Sequence, residues 1–256
     1  MTYYTIDSDL TDTIRIVQLS DLHNAEFGKN NSKLIQSVEM QSPNLIVMTG
    51  DMLNEDDRND EIVTNLVSDL NQIAPVYFSY GNHESAWERK WNKDVHQILD
   101  ETGATVLECE YADVEIKGQK LRIGGYMAYW LQPHMMASAP EQMDMERNFY
   151  DDFKDTDRYR ILLNHIPTQW LDWNYIDIDS SGLVFSGHYH GGVVRIPLIN
   201  RGIYAPYVGW FPKFTKGVFV GEQSTCVLSA GLGTEHHIPR INNPPEIVVV
   251  DLVPNT

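Results

Sequence analysis

Three short apolar runs in the first third of the chain each end at a polar turn. They are Ile14 to Ser20, Leu45 to Thr49 and Val76 to Tyr80. An apolar run of this length that stops at Gly, Asn or Asp is typical of a buried strand. Between them, residues 32–40 and 61–70 space apolar residues as a helix does, with Asn31 and Asp60 as candidate N-caps. The pattern predicts βαβ units with parallel strands.

The polar residues that close these strands are regularly spaced. Asp21, Asp51 and Asn82 lie 30 and 31 positions apart, which is close to the roughly 30 residues of one βαβ unit. Parallel strands would therefore deliver all three side chains to one edge of a sheet, and this carboxyl edge is where open α/β sheets bind ligands. One further helix is expected from Trp91 to a stop at Gly103.

The middle of the chain predicts a second sheet. Its candidate strands are Tyr111–Ile116, Leu121–Tyr126, Arg160–Asn164 and Leu183–Ser186. Their short connections favour a mostly antiparallel arrangement. The Met-rich, acidic segment 132–157 is expected to be a helix or a lid, and Ile247 to Leu252 forms the last strand. No low-complexity linker interrupts residues 1–256, so we expect a single α/β domain.

The charge balance excludes one class of function. The chain carries 36 acidic against 19 basic residues, a formal charge of −17, and an acidic surface repels nucleic acid, so general nucleic-acid binding is not expected. The start of the chain lacks signal-peptide features and no run is long enough to span a membrane. We expect a cytoplasmic or peripheral membrane protein, or an extracytoplasmic one if an anchor precedes residue 1.

Five short motifs carry the candidate chemistry. They are Asp21-Leu22-His23, Gly50-Asp51, Gly81-Asn82-His83-Glu84, Asn164-His165 and Gly187-His188-Tyr189-His190. The patterns DxH and GD are common by chance, but GNH and GHxH would occur only about 0.04 and about 0.02 times in a chain of this composition. Each motif also follows a predicted strand. Together, in this order, they indicate one site.

The residue types in these motifs predict a two-metal site. Carboxylate, amide and imidazole ligands suit Mn²⁺, Fe or Zn²⁺, whereas Ca²⁺ takes oxygen ligands alone. In DxH and HxH, a strand end or extended turn can direct both side chains to one ion. Two-metal hydrolases hold their ions about 3.5–4 Å apart, which requires a bridging carboxylate. Asp51, central in the expected strand order, is the candidate bridge.

The ordered set DxH, GD, GNHE, H and GHxH resembles the calcineurin-like metallophosphoesterase superfamily over nearly the whole chain. Within it, the stretches 19–23, 187–192, 204–206, 211–213 and 243–247 resemble a bacterial branch of phosphodiesterases and pyrophosphatases, several of which act on membrane lipid phosphates. The resemblance implies an α/β fold, an α+β sandwich of four layers in which helices flank two facing mixed sheets. It also implies a hydrolase that cleaves phosphodiester or pyrophosphate bonds by attack of a metal-bridging hydroxide.

Carried over residue by residue, the resemblance implies a ligand set and two catalytic residues. One ion would take Asp21, His23, Asp51 and His190, and the other Asp51, Asn82, His165 and His188. The two divalent ions would be manganese first, with iron or zinc as alternatives. His83 is then left beside the phosphate to protonate the leaving oxygen, and Glu84 orients it. Tyr189 stands where the branch more often has Thr, and is expected to point between two ligands and narrow the site.

Other residues have weaker claims. Arg240 is a candidate phosphate contact, since a guanidinium suits phosphate. His236 and His237 are equally consistent with substrate contact and with a solvated loop. His96 and His134 belong to no motif. The Met-rich stretch 135–145 suits packing better than a hard metal site.

Residues 180–221 differ in charge from the rest of the chain. They contain no Asp or Glu and four cations, with Tyr204, Trp210 and Phe211 among prolines and glycines. Such a loop could contact a lipid-linked substrate or a membrane interface through residues 204–214, with cations meeting the head group. Aromatic residues that simply pack in the core are the alternative.

Two other functions remain open at this stage. A nucleotide or nucleic-acid phosphodiesterase would use the same chemistry, although its substrate would have to approach an acidic surface. An inactive scaffold of the same fold would bind proteins instead, but such proteins lose metal ligands and this chain keeps all seven. The sequence does not determine the oligomeric state.

Overall fold

A computed structural model describes residues 1–126, 140–197, 199, 201–234 and 239–255. The helices are α1 (Ser32–Glu39), α2 (Glu61–Asn71), α3 (Asn82–Trp91), α4 (Val95–Asp100), α5 (Pro140–Lys154) and α6 (Thr168–Leu171). The strands of the first half are β1 (Thr2–Ser8), β2 (Ile14–Leu19), β3 (Leu45–Thr49), β4 (Val76–Ser79), β5 (Thr105–Leu107), β6 (Glu110–Ile116) and β7 (Gln119–Tyr126). Those of the second half are β8 (Tyr159–Asn164), β9 (Gly182–Ser186), β10 (Arg195–Ile196), β11 (Arg201–Gly202), β12 (Tyr204–Ala205), β13 (Gly209–Trp210), β14 (Gly217–Val220), β15 (Ser224–Leu228) and β16 (Val248–Pro254).

The first sheet has six strands in the order β1-β16-β2-β3-β4-β5. Strands β2, β3, β4 and β5 pair in parallel, as the βαβ pattern predicts. The last strand enters this sheet antiparallel to β2, with Ile14 opposite Leu252, and pairs in parallel with β1 on its other side. The carboxyl ends of β2, β3 and β4 therefore lie at one edge.

The crossover helices begin where the apolar spacing predicts, at Ser32 and Glu61, but the expected side-chain caps are not made. Asn31 and Asp60 occupy the N-cap positions of α1 and α2 without capping them through their side chains. The side-chain oxygen of Asn31 accepts from the N–H of Phe27 instead, at 2.9 Å, and Asp60 forms an ion pair with Lys93. Each of these two side chains therefore already has a partner outside its helix.

The helix predicted from Trp91 to Gly103 is two helices. Asn92 adopts a left-handed conformation (φ 51°) that ends α3. The side chain of Asp94 then accepts from the N–H of Gln97 and caps α4. Gly103, with φ 86°, follows the end of α4, where a left-handed turn favours glycine.

The second sheet has six strands in the order β14-β15-β9-β8-β7-β6. The expectation of a mostly antiparallel sheet is wrong, because the four inner strands pair in parallel and only the outer two strands are antiparallel. Parallel neighbours need a crossover connection. Helix α5 lies in the connection from β7 to β8, and α6 in that from β8 to β9.

The two sheets face each other across one apolar layer. Val47 and Val250 of the first sheet share a buried cluster with Leu163, Phe185 and Val227 of the second. A second cluster packs the first sheet against α1 to α4, and a third packs the second sheet against α5 and α6. The mixed α/β class, with helices flanking two facing sheets in four layers, is confirmed.

The remaining predictions concern the ends of the chain and the Met-rich segment. The last strand is displaced slightly toward the C-terminus from the predicted 247–252, since β16 is Val248–Pro254. The expected helix within 132–157 is present as α5, while residues 127–139, which include His134, lie outside the described residues. Among the described residues, no helix is both long enough and apolar enough to cross a membrane.

The apolar layer between the sheets makes a stability prediction. Phe185 is fully buried on β9 in this layer. Phe185→Ala is expected to lower the free energy of unfolding by about 3–5 kcal/mol, because the ring leaves a cavity that packed sheets fill poorly. Urea denaturation measures the change. Ile178→Ala, at a side chain 70% exposed, is the control and should change stability by less than about 0.5 kcal/mol.

Candidate metal centre

The polar residues after β2, β3 and β4 meet at the edge where these strands end. The N–H of Asp21 donates to the carbonyl of Gly50, and the N–H of His23 donates to that of Asp51, both at 3.0 Å. Asp21 and Asp51 are buried. The predicted convergence of the first-sheet motifs is therefore present in the structure.

The second sheet supplies the histidines. His165 follows β8, and His188 and His190 follow β9. Nε2 of His165 lies 2.9 Å from Oδ2 of Asp51, and Nε2 of His190 lies 3.6 Å from Oδ1 of Asp21. The two sheets thus bring their carboxyl edges together, and the histidines of one meet the carboxylates of the other.

Three overlapping groups of these side chains are arranged so that one ligand atom from each residue lies within 4.8 Å of the others. The groups are Asp21, His23 and His190; His23, Asp51 and His83; and Asp51, His165 and His188. The first contains three of the four residues predicted for one ion, and the third contains three of the four predicted for the other. Asp51 and His23 each belong to two groups, so the clusters are joined.

Unsatisfied polar atoms test whether these residues fit a cation. Among the described residues, six buried side-chain nitrogen or oxygen atoms have no hydrogen-bond partner, and four belong to predicted ligands. The four are Asp21 Oδ2, His23 Nδ1, Asn82 Oδ1 and His188 Nε2. An unsatisfied buried polar group costs about 1–3 kcal/mol. Four unsatisfied atoms close together, two of them oxygens and two of them imidazole nitrogens, fit the coordination of divalent metal ions.

Burial and neighbouring charges together determine the ionisation of the cluster. It lowers the pKa of His23 and of His188 well below the ordinary value, so both rings are neutral and able to bind a cation. Burial alone would raise the pKa of Asp51, but His165 and the other imidazoles outweigh it and lower the pKa. Burial lowers the pKa of His165, but the Asp51 carboxylate outweighs this and raises it to about 9.

The orientation of His165 is determined by the backbone. Its Nδ1 lies 2.6 Å from the carbonyl oxygen of Thr49. Since a carbonyl only accepts, Nδ1 carries the hydrogen and donates it, and Nε2 is directed toward Asp51. The last residue of β3 thus orients a predicted ligand that comes from the other sheet.

Five predicted ligands have left-handed backbone conformations. Their φ angles are 52° at Asp21, 48° at His23, 53° at Asp51, 68° at His188 and 47° at His190. The expected extended alternation in DxH and HxH is therefore wrong, because the chain turns sharply at both motifs. Such conformations cost non-glycine residues about 1–3 kcal/mol each and cluster at functional sites.

Glycines within and beyond the motifs allow this close packing. Gly231 has φ 71°, and a Cβ there would lie 2.7 Å from Cβ of Asp21. A Cβ on Gly187 would collide with Ser20 and Asp21, and one on Gly233 with the carbonyl of Leu22. The Gly-Leu-Gly sequence after a strand is the signal that could have identified this wall of the site.

Glu84 has a different position from the one expected. Its carboxylate accepts from four backbone N–H groups, those of Asp51 (2.7 Å), Met52 (2.8 Å), Leu53 (3.0 Å) and Gly81 (2.8 Å). Burial, together with the charge of Asp51, raises its pKa. These bonds hold the loop that carries Asp51, so we assign Glu84 to positioning Asp51 rather than to orienting His83.

His83 lies beside the ligands, at the start of α3. Its ring is 2% exposed and meets the ring of His23 edge-on, with centroids 4.6 Å apart. Its backbone N–H donates to Oδ1 of Asp51 at 2.8 Å, and the N–H of Glu55 approaches its Nδ1 at 3.4 Å. The imidazole is therefore held close to the cluster.

Tyr189 does not enter the site, contrary to expectation. It is fully buried, and its hydroxyl donates to Oδ2 of Asp172 at 2.7 Å and lies 2.9 Å from the hydroxyl of Thr168. The left-handed turns at His188 and His190 direct the residue between them into the core of the second sheet. Tyr189 is thus a packing residue.

Arg240 lines a cavity of about 720 Å³ that reaches His23. Its guanidinium donates to the carbonyls of Ala230 (2.7 Å) and Gly233 (2.6 and 2.8 Å), and Nη2 lies 3.5 Å from Nδ1 of His190. Arg240 therefore holds the glycine loop against the site, and its contact with phosphate stays a prediction. His236 and His237 lie outside the described residues.

Tyr204, Tyr207 and Trp210 lie on a short hairpin formed by β12 and β13, and Phe211 follows it directly. Phe214, by contrast, is partly buried and packs against the third apolar cluster. Trp210 is 73% and Phe211 54% exposed, so the core-packing alternative does not hold for them. Two of the four cations expected in this region are already occupied by contacts within the protein. Arg195 is buried and donates to the carbonyl of Gly191, and Lys216 forms an ion pair with Glu246.

Comparison with known proteins agrees with this geometry. A Campylobacter jejuni protein, named only as an uncharacterized metallophosphoesterase, is 28% identical over 260 residues, which cover 95% of this chain and 60% of that protein. A phosphodiesterase of Escherichia coli is 24% identical over 244 residues, 93% of this chain and 82% of that protein. The chain thus spans less than two thirds of the Campylobacter relative.

A solved structure shares the fold. The precursor of a 5'-nucleotidase from Thermus thermophilus superposes with a TM-score of 0.52 at 12% identity, over 94% of this chain and 54% of that one. The sequence pattern of one family matches residues 14–192, a range that contains all seven predicted ligands and His83. The chain belongs to the calcineurin-like phosphoesterase family.

Proposed function

We propose that the chain hydrolyses phosphodiester or pyrophosphate bonds with two divalent metal ions. The observation that carries the proposal is the position of Asp51: it is grouped with His165 and His188 on one side and with His23 on the other, and His23 is also grouped with Asp21 and His190. One oxygen of Asp51 accepts from the N–H of His83, and the other faces His165. A carboxylate shared in this way supports a binuclear site, since two-metal hydrolases need a ligand between their ions.

The ligands divide into two sets. Asp21, His23 and His190 would hold one ion, Asn82, His165 and His188 the other, with Asp51 between them. Metal ions held in this way lower the pKa of a bound water and stabilise negative charge on phosphoryl oxygens. Manganese is the ion that we propose first, because each set, with Asp51 counted in both, offers two oxygen ligands, which suit manganese. The two imidazoles in each set make iron and zinc the alternatives.

His83 is the residue that we propose as general acid. It is held against His23 and Asp51 without being needed to complete either set of ligands. An imidazole in that position can donate a proton to the leaving oxygen of the substrate. Glu84 contributes indirectly, because its four backbone hydrogen bonds hold the loop of Asp51 in place.

For the natural substrate we propose a lipid-linked or cell-envelope phosphate ester. The support is the exposed aromatic hairpin, with Trp210 and Phe211 at its surface and Arg201 and Lys213 close by in sequence. Aromatic side chains and cations suit the region where phosphate head groups meet acyl chains. Residues 204–214 would then make peripheral contact with a membrane. The net charge of −17 disfavours the nucleic-acid alternative.

Removal and return of metal tests the proposed activity. Chelation is expected to abolish hydrolysis of bis(p-nitrophenyl) phosphate, and Mn²⁺ is expected to restore it more fully than Zn²⁺ or Fe²⁺.

Asp51→Asn is expected to lose both ions together, because the bridging charge is gone. Circular dichroism shows whether the variant stays folded. A folded, Mn²⁺-loaded protein that cleaves neither diester, monoester nor pyrophosphate would support the inactive scaffold.

His83→Ala is expected to keep two metal ions per chain and to lower kcat by about 10²- to 10⁴-fold, the usual contribution of a general acid. Metal content by mass spectrometry and steady-state kinetics measure the two effects. His96→Ala, at a histidine outside the ligand groups, is the matched control. Loss of one equivalent of metal in His83→Ala would make this residue a ligand instead.

The lipid proposal predicts a substrate-dependent loss. Replacing Trp210 and Phe211 together by Ser should raise KM for a lipid-linked diphosphate in vesicles and leave hydrolysis of bis(p-nitrophenyl) phosphate nearly unchanged, because the hairpin meets only the apolar part of the substrate. An equal loss on both substrates would contradict the lipid role. Faster turnover of cyclic AMP or single-stranded DNA than of the lipid substrate would favour the nucleotide alternative.

A further inference from the structure

Tyr207 joins the aromatic hairpin to the metal centre. It lies in the turn between β12 and β13, and its ring stacks on the imidazole of His188, with centroids 4.9 Å apart and an angle of 15° between the planes. Nε2 of His188 is one of the buried atoms that have no hydrogen-bond partner. The tyrosine ring therefore covers one face of a predicted ligand.

The backbone of Tyr207 is strained. Its φ is 61°, a left-handed conformation that asparagine and glycine adopt easily and that is unusual for a bulky aromatic residue. Conformations of this kind persist where the surrounding structure imposes them, and they cluster at active sites and ligand clamps. Ease of folding does not account for a tyrosine at this position.

Contacts with the metal-binding loop hold the hairpin that carries Tyr207. Ile203 donates its N–H to the carbonyls of Gly192 (3.1 Å) and Val194 (2.9 Å), and Gly202 packs so closely on Gly192 that a Cβ on either would collide with the other. Ala205, at the base of the turn, is fully buried. The hairpin is thus fixed to the His190 to Gly192 turn, and Tyr207 is held above His188.

Burial does not explain the ring either. Tyr207 remains 51% exposed, whereas the packing aromatic residue of the same region, Tyr189, is fully buried. The other aromatic contact of the hairpin, between Tyr204 and Trp210, is made at the surface. A strained ring that stacks on a predicted ligand, in a residue about half exposed, can be reached by a molecule bound at the metal centre.

We propose that Tyr207 is a substrate-contacting residue that determines which diesters the site accepts. Its ring forms the wall of the site on the His188 side and contacts the ester arm that is not the leaving group, favouring an aromatic or otherwise flat, apolar arm. This inference rests on the proposed phosphodiesterase activity. The Tyr207 ring would then determine which of two diesters with the same leaving group the site prefers.

Two substrates with the same leaving group test the assignment. Bis(p-nitrophenyl) phosphate and methyl p-nitrophenyl phosphate both release p-nitrophenolate, but their second arms are an aryl ring and a methyl group. Tyr207→Asn keeps a residue that tolerates φ 61° and removes the ring. It is expected to raise KM about three- to tenfold for the aryl diester, the range of one aromatic contact, and to leave KM for the methyl diester unchanged.

Two further variants serve as controls. Tyr207→Phe keeps the ring and is expected to retain the KM of the unaltered protein for both diesters. Tyr3→Asn alters a tyrosine of similar exposure, 58%, on the edge strand β1, and should change neither KM. Metal content and Tm are measured for every variant, and Tyr207→Asn is expected to bind two metal ions and to melt no lower than the unaltered protein.

The possible outcomes separate the two proposals. Equal KM changes for both diesters, or no change for either, would overturn the role of Tyr207. A lower metal content or a lower Tm in Tyr207→Asn would likewise overturn it and make the ring a support for His188. If the unaltered, metal-loaded protein cleaves neither diester, the proposed function fails first, and the role of Tyr207 fails with it.

Discussion

Burial of Asp51 between two facing sheets is the constraint on which the site depends. A carboxylate without solvent needs opposite charge or hydrogen-bond donors, and here His165 from the other sheet and the N–H of His83 supply them. Glu84 holds the same loop through four N–H groups. The apolar layer keeps the sheets at a fixed separation, so the ligands from both edges stay within reach of one carboxylate.

Much of this arrangement could be predicted from the chain itself. Apolar runs that end in Asp or Asn predicted three parallel strands and their common edge, and β2, β3 and β4 follow that prediction closely. The motifs with low chance frequency, GNHE and GHxH, contain residues that the structure brings together. These features are local in sequence, since each depends on a strand and the turn directly after it.

The features that escaped prediction depend on contacts between distant residues. Parallel pairing in the second sheet follows from helices in the connections. One of them, α5, lies within the segment expected to be a helix or a lid, but α6, which has only 4 residues, was not predicted. Left-handed turns at His188 and His190 direct Tyr189 inward, and no periodicity indicates this. Glu84 is adjacent to His83 in sequence but reaches the backbone of residues 51–53, because α3 packs beside the β3 loop.

The position of β16 between β1 and β2 in the first sheet has a consequence for synthesis of the protein. Strand β2 pairs with β3 on one side and with β16 on the other, and Ile14 has Leu252 as its partner. During translation one edge of β2 remains without its partner until residues 248–254 have been synthesised. An apolar edge strand exposed for that time can pair with other chains. Until β16 has been synthesised, this edge of β2 is therefore a site at which the nascent chain can aggregate.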